Sequence, residues 1–364
     1  MKRKIALLLL ICLSFVLCGC DLWMDGAYYS VQPHQNVGGD ELLESATATS
    51  YPELQKILVE MVEKGQQSTV IYMPGLQTAQ LDSYMRRAIS ELRYKNPVAA
   101  YAMEDLTYDI GTNSGKPAIA VDISYLHNRT EILRIRNAKD MTIATQIIED
   151  LLDDCGADAV IRVAQYESID ITQLVQDYVE SHPDTCMEMP QVTMLAYPQT
   201  GSDRILELTF TYQTSRESLR TMQKYVEPVF EAAELNVIGE ESESVKFELM
   251  YAFLMERSEY QMGTSITPAY SLLRHGVGDS KAFATIYAAM CRRAGLECQV
   301  VTGTREGNPW VWNVICEDGA YYHIDLLNTV SEGKLQRLML QDMTSYVWDY
   351  SSYPIAEREI VVVE

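Results

Sequence analysis

Apolar residues recur along the chain with two periods, and the switches between them mark the elements. Leu54, Ile57, Leu58, Met61 and Val62 fall at helical spacing, and 69–73 is an apolar run of strand length. A second helical stretch over 81–92 is predicted to end at Pro97, with strands near 99–108 and 118–125. The same succession then returns. Ile147, Ile148, Leu151 and Leu152 share one helical face, followed by a strand over 159–163 and a helix over 171–179 that ends at Pro183. Strands near 191–197 and 205–212 complete it. The offset is about 86 to 90 residues, and Tyr125-Leu126-His127-Asn128-Arg129 corresponds to Tyr212-Gln213-Thr214-Ser215-Arg216. Residues 51–213 therefore read as a duplicated αβαββ region whose two units bury their faces together.

From 215 to 264 the pattern is helical, with breaks expected at Pro228 and at the acidic turn 239–243. Val245, Leu249, Phe253 and Leu254 form its apolar stripe. A further helix from Ser280 carries Phe283, Ile286, Tyr287, Met290 and Ala294 on one face, and the strands after it include a hairpin turned at Asp318-Gly319. The fold class is α+β. Residues 20–50 are rich in Gly, Ser, Thr, Asn and Gln and read as a tether.

Charge narrows the partners. Asp and Glu outnumber Lys and Arg 51 to 29, a formal charge of −22 in 364 residues. A surface so acidic excludes nucleic acid and is repelled by anionic headgroups, so any membrane attachment needs another source. The N-terminus offers one. Lys2-Arg3-Lys4 is a basic region, 5–17 is an apolar run too short for a comfortable span, and Leu17-Cys18-Gly19-Cys20 follows. This resembles a bacterial lipobox, which implies a signal peptide over 1–19 and lipidation of Cys20. Several acyl chains on one cysteine anchor firmly. The expected location is the outer face of the cell membrane.

Five further cysteines remain: Cys155, Cys186, Cys291, Cys298 and Cys316. A Cys298–Cys316 bridge and buried free thiols are both open. No Cys/His spacing suits zinc, and neither metal nor cofactor is expected. The acids Glu149, Asp150, Asp153 and Asp154 read as a solvated helix face rather than a calcium loop. Asn128-Arg129-Thr130 reads as a chance sequon, and His127 and His182 as solvated turn residues.

The chemistry-bearing stretch runs from 276 to 325. It holds Gly278-Asp279-Ser280-Lys281-Ala282, then Ala294-Gly295-Leu296, Trp310-Val311-Trp312-Asn313 and Tyr322-His323-Ile324-Asp325. Together with Asp342-Met343-Thr344-Ser345-Tyr346-Val347-Trp348-Asp349 and Tyr353-Pro354, these residues resemble the transglutaminase-like superfamily, whose core is papain-like. The resemblance covers roughly the last 120 residues, and the domain it implies spans 214–364. It implies a cysteine nucleophile at a helix N-terminus, where the dipole favours a thiolate, a histidine as base and acid, and a carboxylate to orient it. Here Ser280 stands at the cysteine position, Trp310 at the histidine position, and only Asp325 matches. An unassisted serine is a poor nucleophile, and an indole accepts no proton. The bland readings fit too: Ser280 or Asp279 as a helix cap, Trp310 and Trp312 filling the cleft, and Asp325 bonded to backbone or to an indole N–H.

The sequence thus points to a surface lipoprotein with a catalytically degenerate domain that binds a protein, peptide or cell-wall component. Two alternatives stand beside it. One is an active hydrolase or acyl transferase using Ser280 with a borrowed histidine such as His323. The other is a purely structural spacer, which gains if no groove opens beside Ser280.

Overall fold

A computed structural model describes residues 45–113, 115–263, 265–328 and 334–353; the expected signal peptide, Cys20, most of the tether and Pro354 lie outside them. Within residues 45–212, a short strand opens each of two sheets. β1 (Ser45–Thr47) runs parallel to β2 (Ser68–Tyr72), which pairs antiparallel with β4 (Lys116–Tyr125), itself antiparallel to β3 (Met103–Asn113). The order is β1-β2-β4-β3. Helices α1 (Tyr51–Lys64), α2 (Thr78–Lys95) and α3 (Pro97–Ala102) bury Leu54, Leu58, Leu81, Met85 and Leu92 in one core with Ile71, Ile119 and Val121 of the sheet.

After the short α4 (Arg129–Leu133), the second sheet repeats this arrangement. β5 (Arg136–Asp140) is parallel to β6 (Asp158–Gln165), which is antiparallel to β8 (Arg204–Thr211), with β7 (Gln191–Tyr197) outermost. The order, β5-β6-β8-β7, is that of the first sheet. α5 (Met141–Asp153) and α6 (Ile171–Ser181) cover it through Ile148, Leu152, Val175 and Val179.

Three expectations are corrected here. Each unit begins with a parallel strand, so each is βαβαββ rather than αβαββ, and β1 lies inside the stretch read as tether. α2 stops at Lys95, just before Pro97 as expected, but residues 99–102 are helical rather than strand, because Pro97 also begins α3: Asn96 caps it through Ala99 N–H at 2.8 Å, and proline suits a first turn. The third concerns Pro228. It sits inside α7 (Arg216–Leu235) without ending it, the helix being held on either side by buried Leu219, Val226, Phe230 and Ala233.

α7, α8 (Glu243–Met255), α9 (Pro268–His275) and α10 (Ser280–Arg293) form a layer against one face of the sheet β13-β12-β11-β14. Its strands are β11 (Cys298–Arg305), β12 (Asn308–Glu317), β13 (Ala320–Ile324) and β14 (Tyr346–Val347). The buried face of α8 is Phe247, Met250, Tyr251 and Leu254, turned from the predicted stripe, and Val245 is exposed. α10 is the central element. Phe283, Ile286, Tyr287 and Met290 are buried as predicted, and Tyr287 donates to the Phe247 carbonyl at 2.9 Å. A separate cluster of Val301, Trp312, Val314, Leu338, Met343 and Tyr346 covers the other face of the sheet.

Two glycines are required by close approach. A Cβ on Gly276, whose φ is +73°, would lie 2.7 Å from the Arg257 carbonyl oxygen. One on Gly303 would lie 2.2 Å from the Val347 carbonyl oxygen and 2.8 Å from the Trp312 indole. The Cys298–Cys316 bridge does not form. Cys298 is in register with Ile315, so Cys316, one residue on, points to the opposite face. The five cysteines among the described residues are all free. No described helix is long and apolar enough to cross a membrane.

Candidate functional site

The short strands β9 (Glu259–Tyr260) and β10 (Val277–Gly278) pair in parallel just before α10 and fix where that helix begins. Asp279 is its cap, accepting the Ala282 N–H at 2.9 Å. Ser280 is therefore the first helical residue and not the cap. It is buried, and its Oγ accepts a long bond of 3.4 Å from the Val311 N–H. Asn313 ties β12 to the same helix by donating to the Ala284 carbonyl at 2.9 Å.

Strand alternation sorts the neighbouring residues. Val311, Asn313 and Ile315 turn toward α10, and Trp310, Trp312 and Val314 turn the other way. Trp310 packs on Tyr260 with ring centroids 5.5 Å apart, and Trp312 is wholly buried. The crevice lined by Ser280, Phe283, Val311, Trp312 and Asp325 is too narrow for a water-sized sphere. Among the described residues, no groove opens on this Ser280–Asp325 side of α10.

Asp325, just past β13, is the most heavily bonded side chain of the site. Its Oδ2 accepts from Arg305 Nη1 at 2.9 Å, Trp310 Nε1 at 3.0 Å and Tyr346 Oη at 2.7 Å. Oδ1 accepts the Leu327 N–H at 3.0 Å. The carboxylate is 1% exposed, and the Arg305 guanidinium supplies the opposite charge that such burial demands. Arg305 also lies over the rings of Trp310 and Tyr346, 5.3 and 5.5 Å from their centroids. Burial, and then the neighbouring Asp325 charge, push the Tyr346 phenol well above its ordinary range.

His323 points elsewhere. Its Nδ1 accepts the Trp312 indole N–H at 2.9 Å, and its Nε2 lies 3.2 Å from the Tyr353 carbonyl. An indole nitrogen only donates, so Nδ1 is unprotonated and Nε2 carries the hydrogen that Tyr353 accepts. Both ring nitrogens are thus engaged, and a Ser280–His323–Asp325 relay is not formed. His275 packs edge-on against Tyr270. Among the described residues no histidine hydrogen-bonds Ser280.

The structure therefore brings Trp310 and Asp325 into contact and places Ser280 on the same crevice, but no bond links Ser280 to either. Sequence reasoning missed Arg305 and Tyr346. The available signal for Tyr346 was its place in the downstream motif; Arg305, a charge at a strand end, gave none. Cys20 lies outside the described residues. Among the described residues no cluster of three or more His, Cys, Asp or Glu is arranged to hold a metal.

Residues 233–326 match the family model of the transglutaminase-like superfamily. No curated protein matches the chain. Similar solved structures include a TGase, 14% identical with a TM-score of 0.28, over 51% of this chain and 55% of that one. A candidate cysteine protease from Cytophaga hutchinsonii is 12% identical with a TM-score of 0.26, over 43% of this chain and 70% of that one. A candidate protease from Parabacteroides distasonis is 9% identical with a TM-score of 0.23, over 70% and 39%. The chain thus spans about half the length of the TGase. With its central helix, the antiparallel sheet behind it and the match over 233–326, the C-terminal region holds a domain of the transglutaminase-like superfamily.

Proposed function

We propose that this chain is a membrane-anchored surface lipoprotein whose transglutaminase-like domain has lost its proton chemistry and binds a protein, peptide or cell-wall component. The observation that carries this reading is Trp310, which donates to Asp325 from the position where the family places its base. An indole can orient on a carboxylate as an imidazole would, but it cannot take a proton from a nucleophile. The serine hydroxyl needs such an acceptor to become reactive near neutral pH. Its partner here is the Val311 N–H, a donor. Asp325 cannot step in as the base at Oδ2, which already holds three donors.

The closed crevice at Ser280 argues that any ligand binds elsewhere on the domain. The reading is tested by amine-incorporation and peptide-hydrolysis assays on the full chain beside Ser280→Ala. The expected result is the same background turnover in both. Turnover that depends on Ser280 overturns the reading.

A further inference from the structure

α10 has a second side. Ser280 and Phe283 face the closed crevice, while Lys281, Ala282 and Thr285 line a cavity of about 820 Å³ between α6 and the first turns of α9 and α10. That volume lies within the roughly 300–1,000 Å³ typical of ligand sites. Its walls are largely apolar: Val175 and Val179 come from α6, and Met189, Ile266 and Ala269 from the segments opposite. Met189 and Ile266 are 40% and 52% exposed, so two large apolar side chains lie open on one cavity.

The charge in this cavity is unbalanced. Glu180 is paired with Lys281 at 2.7 Å, which cancels both. Glu188, only 4% exposed, lines the same cavity and accepts the Gln213 and Thr214 N–H groups at 2.5 and 3.1 Å. Those donors are neutral. Among the described residues no Lys, Arg or His forms an ion pair with Glu188. A buried carboxylate without a counter-charge favours a cation that enters beside it.

The cavity also meets a sheet edge. Gln191 and Val192, the first residues of β7, line it, and β7 is the outer strand of its sheet. Among the described residues no strand pairs with its outward side. An extended chain can add to such an edge through its backbone while its side chains enter the adjoining cavity.

We propose that this cavity binds an extended peptide segment in which a lysine or arginine is flanked by apolar residues. The cation approaches Glu188, the apolar flanks cover Met189, Ile266 and Val179, and the backbone follows β7. The proposal rests on reading the domain as a binding module and names its partner class.

Fluorescence anisotropy on the full chain tests it, using a short labelled peptide with one lysine among valines and leucines and its norleucine and glutamate counterparts. The lysine peptide binds on the order of tenfold more tightly than the norleucine peptide, as a hydrogen-bonded charge predicts, and the glutamate peptide binds most weakly. Glu188→Gln removes that preference. Ile266→Arg, at an exposed position that tolerates change, abolishes binding even if Glu188→Gln fails to fold. Equal affinity for the lysine and norleucine peptides, unchanged binding by Ile266→Arg, or no binding of any peptide overturns the proposal. Ser280-dependent turnover with lysine-selective binding intact would overturn the proposed function and leave this site standing. Absence of both would do the reverse.

Discussion

Trp310 donates its indole N–H to Oδ2 of Asp325 at 3.0 Å. Trp310 lies on β12 and Asp325 just past the neighbouring β13, and the bond joins the positions that the resemblance assigns to a histidine and its orienting carboxylate. Arg305 and Tyr346 complete the shell around the same oxygen. In the proposed reading the carboxylate keeps its place, and its role becomes holding β11, β12 and β14 together.

Arg305 then supplies the charge that makes a buried Asp325 tolerable. Arg305→Met leaves that carboxylate without a cation and is expected to cost about 3–5 kcal/mol. Adding Asp325→Asn removes the stranded charge and should recover a large part of the loss. Urea denaturation of the two single variants and the double variant checks this. Additive losses would show that the pair does not act as a unit.

Tyr346 makes stability depend on alkaline pH. Burial, followed by the Asp325 charge, raises its phenol above the ordinary 10.0. A raised folded-state value favours the neutral phenol. Its contribution is therefore complete below pH 10, the unfolded value, and is lost as pH rises through the folded value. In that window Tyr346 adds a downward slope of about 1.4 kcal/mol per pH unit. Tyr346→Phe should start lower by about 1.5–3 kcal/mol, through loss of a bond to a charged group, and fall less steeply above pH 10. Burial, the largest cause for both, also pushes Tyr51 and Tyr101 up to about 12, so the wild-type slope does not vanish in the variant. Denaturation curves from pH 8 to 11 test it; parallel slopes for the two proteins would contradict it.

Gly303 gives Trp312 and β14 their room. A Cβ there would stand 2.2 Å from the Val347 carbonyl oxygen, which is backbone and cannot swing aside. Gly303→Ala should cost about 1–3 kcal/mol as overpacking and alter tryptophan fluorescence by shifting Trp312. A variant as stable as wild type, with an unchanged spectrum, would mean that the strand approach is softer than these distances imply.

The lipid anchor is tested on its own. Cells fed a clickable palmitate analogue should label the wild-type chain, and Cys20→Ala should abolish labelling and release the protein from the membrane fraction. Labelling that survives Cys20→Ala would reject the lipobox reading.

The helix of Ser280 was legible because Phe283, Ile286, Tyr287 and Met290 repeat at its period and are buried as that period requires. Ser280 and Asp325 were legible as candidates only through the resemblance, and the structure sets both on one crevice. Short polar strands were not. Ser45–Thr47 and Arg136–Asp140 pair at sheet edges, where neither alternation nor hydrophobicity is demanded. Pro97 ends one helix as expected but also starts another, and Pro228 sits within a helix that it was expected to break. Arg305 escaped notice because its partner stands 20 residues away, and a charged strand end ordinarily faces water.

The central claim is that Ser280 has no base to activate it. Intact-mass spectrometry of the full chain after exposure to a fluorophosphonate, beside Ser280→Ala, tests this most directly. The account predicts no adduct that depends on Ser280. A stoichiometric adduct on the wild type that disappears in Ser280→Ala would contradict it.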